Sequence, residues 1–185
     1  MGDPGLLAMF LFNLSGIQKK YTLCIIPHYI DKNLKILENL KIKNSKILNI
    51  TDENNFMYQL AKCKRVISSS LHGLILSDSL IIPNIRIILS DKIAGGNFKY
   101  NDYYSSFNLK PQKYFDLRIY NFSENDLNFI DKNYNITKDM VLKKQCDLLI
   151  NFPFSLQKKY KNIINLKCKK NFFYIFKNYF YSIFF

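Results

Sequence analysis

Acidic side chains are scarce in this chain: 14 Asp and Glu stand against 27 Lys and Arg, a formal charge of +13 over 185 residues. Such a field attracts nucleic acid, anionic lipid or phosphorylated small molecules. The lysines are nevertheless dispersed. Lys-Lys pairs begin only at Lys19, Lys143, Lys158 and Lys169, so no block resembles a basic arm. Neither zinc-finger spacing nor an RNA-binding signature is present, and no nucleic-acid partner is expected. Cysteine is also sparse. The 4 residues include no CxxC, which excludes a zinc knuckle and a redox dithiol motif. Cys24 and Cys63 lie in or beside apolar runs, and the expectation is reduced thiols that behave as small buried hydrophobes without a catalytic role. No continuous apolar run approaches the roughly 20 residues that span a bilayer. The opening MGDPGLLAMFLFNLSGIQKK has neither a basic n-region nor a small-residue cleavage site, so it does not read as a signal peptide. No internal repeat is evident.

What is present is an alternation of short β-rich and helical runs. Asp3 can cap a helix with Pro4 at its first position, carrying Leu6, Leu7, Phe10 and Leu14 inward until Gly16 ends it. YTLCIIP, from Tyr21 to Pro27, reads as a buried strand. A helix from Lys32 to about Asn39, a strand from Lys46 to Ile50 and a helix from Asp52 to Cys63 repeat the cycle. Arg65 to Ser69 is the third strand, His72 to Leu80 the next helix, and Ile85 to Leu89 the fourth strand. Tyr114 to Ile119 is a further strand candidate, Ser123 opens a capped helix, and Met140 to Ile150 forms another. Such alternation predicts an α/β fold, a doubly wound parallel sheet covered on both faces. The expected organisation is a domain over 1–120, a helical extension over 121–157 and a Lys- and aromatic-rich tail over 158–185. That tail, ending NFFYIFKNYFYSIFF, is a candidate for peripheral membrane contact, for packing on the domain or for disorder.

In doubly wound sheets ligands bind beyond the carboxyl ends of the strands, where helix N-termini present unpaired amides. This singles out the loops after Ile26, Ser69 and Leu89. The only two histidines, His28 and His72, occupy the first two, and Asp91, Lys92, Gly95 and Gly96 occupy the third.

The run SSSLHGLILSDSLIIPNI, from Ser68 to Ile85, followed by DKIAGGNFKYNDYYSS, resembles the signature of the polysaccharide pyruvyl transferase family. That signature reads as Ser, two variable residues, Leu-His-Gly, an apolar helix, then Pro at the next strand. GDPGLLA near the start and CIIPHYIDK from Cys24 to Lys32 match in the same order, and the branch of exopolysaccharide ketal-pyruvyltransferases is the most similar. The resemblance covers roughly residues 1–120. It implies a Rossmann-like domain, the C-terminal half of a GT-B-like two-domain fold, with an N-terminal half as a missing partner. It also implies phosphoenolpyruvate as donor, a polysaccharide or lipid-linked oligosaccharide as acceptor, no cofactor or metal, and a cytoplasmic site of action, peripheral to the inner membrane.

The reaction so implied protonates a methylene carbon, adds sugar hydroxyls to the neighbouring carbon and holds a dianionic phosphate. His72 is the expected catalytic residue, as acid or phosphate holder at a helix N-terminus. Gly73 allows a backbone amide close to the ligand, or serves packing alone. Ser69 and Ser70 are hydroxyl donors or helix caps. His28 lines the cleft or satisfies a turn, and Asp31 is read as a cap for the next helix. Where many relatives have Arg before Leu-His, this chain has Ser70, so another cation must hold the anion. Lys92 is the first candidate, ahead of Lys99 and Arg86. Gly95 and Gly96 permit positive φ in a closing loop, or form a plain turn. Tyr100, Tyr103 and Tyr104 either stack on a sugar or pack in the core. Two other readings remain open: a GT-B-like glycosyltransferase, with Asp91 as the ribose-binding acid, and a catalytically silent half-domain that binds a partner chain or a membrane.

Overall fold

Val, Ile and Leu cluster in short runs separated by polar turns, and these runs become the strands of one sheet. The computed structural model describes residues 2–52 and 55–151. Strands β1 (Leu23–Ile26), β2 (Ser45–Ile47), β3 (Val66–Ser68), β4 (Asn84–Ile88) and β5 (Tyr114–Asp116) lie in the order β2-β1-β3-β4-β5. Every pairing is parallel. The α/β expectation therefore holds, in one of the two common doubly wound strand orders, with the order reversing between β1 and β3.

Side chains alternate between the sheet faces. Leu23, Ile25, Ile67, Ile85 and Ile87 build a core on one face with Leu117, Phe122 and Ile130, closed by α4 (Leu127–Asn133). Cys24, Ile26 and Val66 face the other way, onto Phe56, Met57 and Leu60 of α1 (Phe56–Ala61). Beside it, Leu6 and Ile75 pack with Tyr103, Tyr104 and Phe107, joining the N-terminal segment to α2 (Leu71–Ser79) and α3 (Phe98–Ser105). The last helix of the described residues, α5 (Lys138–Asn151), lies on that segment, where Gln145 donates to the carbonyl of Leu6 at 2.8 Å.

Several expectations need correction. The first two expected helices are short 3-10 segments, Pro4–Leu11 and Lys35–Leu37. Asp3 does cap the first, accepting from the Gly5 amide at 2.7 Å. Near the second, Leu34, Leu37 and Glu38 donate three residues back, to Asp31, Leu34 and Lys35, the tighter 3-10 pattern. Phe98–Ser105, to which the sequence assigns no element, is a helix. Cys24 and Cys63 are not free thiols but form a disulfide with Cα atoms 5.8 Å apart. The parallel bridge between Tyr21 and Cys63 brings the strand entering β1 beside the end of α1, which places the two sulfurs together. The inference of a reducing compartment from free thiols is thereby removed. The tail over 158–185, the end of the helical extension and their membrane contact lie outside the described residues. Among the described residues no helix is long and apolar enough to cross a membrane.

Candidate active site at the β1/β3 switch point

The site is built where the strand order reverses. After β1 the chain passes Pro27 into His28, and after β3 it passes Ser69 and Ser70 into α2, with His72 in the helix's first turn. His72 is exposed, whereas Gly73 beside it is buried. A Cβ at Gly73 would run into the Ser68 hydroxyl and come within 2.8 Å of Ile26 Cγ2. Glycine here lets α2 start directly against β1, which sets His72 at the rim.

The serines are structural ties. Ser68 Oγ accepts from the Ser70 amide at 3.0 Å and lies 2.8 Å from the carbonyl of Ile26. Ser69 Oγ accepts from the His28 amide at 2.9 Å and donates to Asp31 Oδ2 at 2.9 Å. Ser70 occupies the N-cap position of α2 without a side-chain capping bond, and it is buried. The sequence reading missed Asp31 as the keystone. Its carboxylate is fully buried and accepts from Ser69 and, at 2.6 Å, from Ser90 after β4. One side chain thus fastens all three loops, a role different from the helix cap expected of it. The signal available was a lone acid three residues beyond His28 opposite serines at two other strand ends.

His28 is half-buried, with its ring against Tyr29 at 4.4 Å between centroids. Desolvation first, then the Lys99 cation, lower its proton affinity, with His72 adding in the same direction and Asp31 opposing. Its Nδ1 accepts from the Ile30 amide at 3.4 Å, so the neutral ring carries its proton on Nε2. Of the two histidines at the switch point, His28 is half-buried and held by the Ile30 amide, and His72 is exposed at the rim.

The third loop is more open. Lys92 is exposed, and its amide rests on Ser90 Oγ at 3.2 Å. Gly95 and Gly96 take φ of +86° and +44°, which turns the chain into α3. The Asp91 carboxylate is exposed and accepts from Arg118 Nη1 at 2.5 Å. Tyr100, Tyr103 and Tyr104 are all buried, with Tyr100 donating to the carbonyl of Ser69 at 2.7 Å and Tyr103 to Asp78 Oδ2 at 2.8 Å. Asp78 was not singled out from sequence, although an acid inside the apolar run LILSDSL is a visible oddity. Its carboxyl is buried and also accepts from Asn84 at 2.6 Å, and burial pushes it up to about 7. Among the described residues no group of three or more His, Cys, Asp or Glu is placed to hold a metal ion.

The chain is thus an α/β domain whose parallel sheet carries two histidines beyond its strand ends at the switch point, the place where ligands bind in sheets of this order. Residues 8–91 match the model of the polysaccharide pyruvyl transferase family, the family that the motifs resemble. An uncharacterized protein of Acanthamoeba polyphaga mimivirus is 32% identical over 177 residues, covering 88% of this chain and 62% of that protein. This chain thus spans about 62% of the length of that relative. No solved structure matches.

Proposed function

We infer that this chain carries the donor site of a polysaccharide pyruvyl transferase, using phosphoenolpyruvate to form a pyruvate ketal on a sugar. One observation supports it above all. The segment that matches the family, 8–91, is the segment that sets His28 and His72 together at the switch point. In this reading the enol carbon takes a proton to become a methyl group, and a sugar hydroxyl bonds to the adjacent carbon. A second hydroxyl then displaces phosphate, leaving a cyclic ketal. The two hydroxyl protons balance the proton on the methyl group and the one on the released phosphate. His72, exposed in the first turn of α2, delivers the proton or receives it from the attacking hydroxyl. His28, kept neutral with its proton on Nε2, donates a hydrogen bond to a phosphate or carboxylate oxygen. The peptide dipoles of α2 add a partial positive charge at the same place. The chain then corresponds to the C-terminal, Rossmann-like half of a GT-B-like protein acting at the cytoplasmic face of a membrane. A polysaccharide or lipid-linked acceptor would enter from the side of a second half.

Calorimetric titration of phosphoenolpyruvate into the chain and into His72→Ala tests this, with UDP as the comparison ligand. Saturable phosphoenolpyruvate binding that His72→Ala weakens about tenfold, or 1.4 kcal/mol, supports the reading. Preferential UDP binding would replace it with a nucleotide-sugar glycosyltransferase. The observation that Asp91 is engaged by Arg118 disfavours that outcome.

A further inference from the structure

An anionic ligand in this cleft needs a cation, and Ser70, just before the Leu-His pair, supplies none. Lys92 is exposed and makes no side-chain contact among those described. Arg86 is placed differently. Ile85 and Ile87 face one core, so Arg86 projects to the opposite face, under α3. Its guanidinium lies 3.8 Å from the Tyr100 ring centroid and 5.3 Å from that of Tyr114, and Nη1 donates to Asn97 Oδ1 at 2.7 Å. Its Nε is buried without a partner, and among the described residues no carboxylate pairs with it. Lys99 Nζ stands 5.4 Å from the same Tyr100 ring. The Tyr100 hydroxyl in turn holds the Ser69 carbonyl, in the turn that carries His72. A cavity of about 70 Å³ opens beside Arg86, lined by Asn97, Asn101, Gln112 and Tyr114. Its amide-bearing walls supply neutral donors, and its volume suits one small oxyanion group.

Resting on the functional reading above, we propose that Arg86 and Lys99, gathered on the Tyr100 ring, form the oxyanion-holding subsite of the cleft, in place of Lys92. A guanidinium with an unmet N–H and no acidic partner has donors left for a carboxylate or phosphate. The repulsion between the two cations is then relieved by the ligand. Burial first and Arg86 second lower the proton affinity of Lys99, and burial first and Lys99 second lower that of His28.

Binding of inorganic phosphate, pyruvate and phosphoenolpyruvate to the whole chain at low salt distinguishes the source of the oxyanion. The same titrations are repeated on Arg86→Met, Arg86→Lys, Lys99→Met and Lys92→Met, each checked for an unchanged melting transition. Arg86→Met and Lys99→Met are each expected to weaken at least one anion about tenfold, with Lys92→Met changing it less than about twofold. Arg86→Lys retains the charge but loses the fork, so it lies between wild type and Arg86→Met. Lys99 is half exposed, so its variant keeps the test informative if Arg86 variants do not fold. Lys92→Met as the weakest binder, or a wild type that binds none of the three, would overturn the subsite. Phosphate or pyruvate binding lost in Arg86→Met, with phosphoenolpyruvate not preferred, leaves the subsite standing and removes the pyruvyl transfer reading instead.

Discussion

Ser69 donates its hydroxyl to the buried carboxylate of Asp31 at 2.9 Å while accepting from the His28 amide, so the loops after β1 and β3 are locked at a single atom. Because Ser90 gives Asp31 its second bond, the loop after β4 is part of the same lock. Asp31→Ala leaves two hydroxyls without their acceptor in a buried setting, a cost of about 2–3 kcal/mol. Ser69→Ala removes two bonds, from the His28 amide and to Asp31, but Asp31 keeps its bond from Ser90, and the cost is about 1–2 kcal/mol. Urea midpoints of the two variants read this ranking. Equal midpoints for wild type and Asp31→Ala would show that the lock does not hold the loops.

Gly73 is the position where a single methyl group does most harm. The added Cβ meets the Ser68 hydroxyl and Ile26 Cγ2, both in the buried join of β1, β3 and α2. Backbone has to move to accept it, so Gly73→Ala is expected to destabilise the chain by about 2 kcal/mol or more. Gly96→Ala meets no atom within 4 Å and pays only for its φ of +44°, about 1 kcal/mol. Thermal melts of the two variants separate packing from backbone strain.

The buried carboxyl of Asp78 makes stability depend on pH. Burial raises it to about 7, whereas an unfolded Asp ionises near pH 4. Between those values the folded chain holds the extra proton, so stability is greatest at the acid end and falls as pH rises through about 7. The loss is on the order of a few kcal/mol. Denaturation at pH 5 and pH 8 should show it in wild type, with the Asp78-linked part absent in Asp78→Asn. The same pH slope in both proteins would assign it to other groups.

The bond between Cys24 and Cys63 closes a separation of 39 residues. In the chain-entropy account such a loop contributes about 4 kcal/mol. Intact mass with and without alkylation of the unfolded protein reports the bond directly, and reduction should lower the urea midpoint. Cys146, the remaining cysteine of the described residues outside a disulfide, is buried and should resist alkylation until the chain unfolds.

The strands were legible because each is a short apolar run flanked by turn residues, and β1, β3 and β4 lie within a residue or two of the expected limits. The Leu-His-Gly turn and α2 were legible for the same reason, reinforced by the family motif. Ser123 also behaves as read, its amide donating to Asp126 at 2.8 Å at the start of the next helical segment. Length of helix was not legible. Lys32–Asn39 has helical spacing but lies beyond an Asp whose side chain is drawn off to Ser69 and Ser90, and the backbone tightens to 3-10 bonds. Pairing across long separations was hidden too. Nothing local tells Cys24 that Cys63 will stand beside it, or tells Arg86 that Tyr100 and Tyr114 will enclose its guanidinium.

The bond from Gln145 to the carbonyl of Leu6 joins residues 139 apart, and this sets an order of events during synthesis. The sheet neighbours β1, β3 and β4 come from nearby stretches of chain, so their loops close at modest entropic cost once residue 90 or so has emerged. The first helical segment can then settle on α2, yet the bond that Gln145 gives its Leu6 carbonyl has to wait for α5. A chain truncated before α5 should therefore hold a formed cleft beneath a loosely seated first helical segment, exposed to proteases.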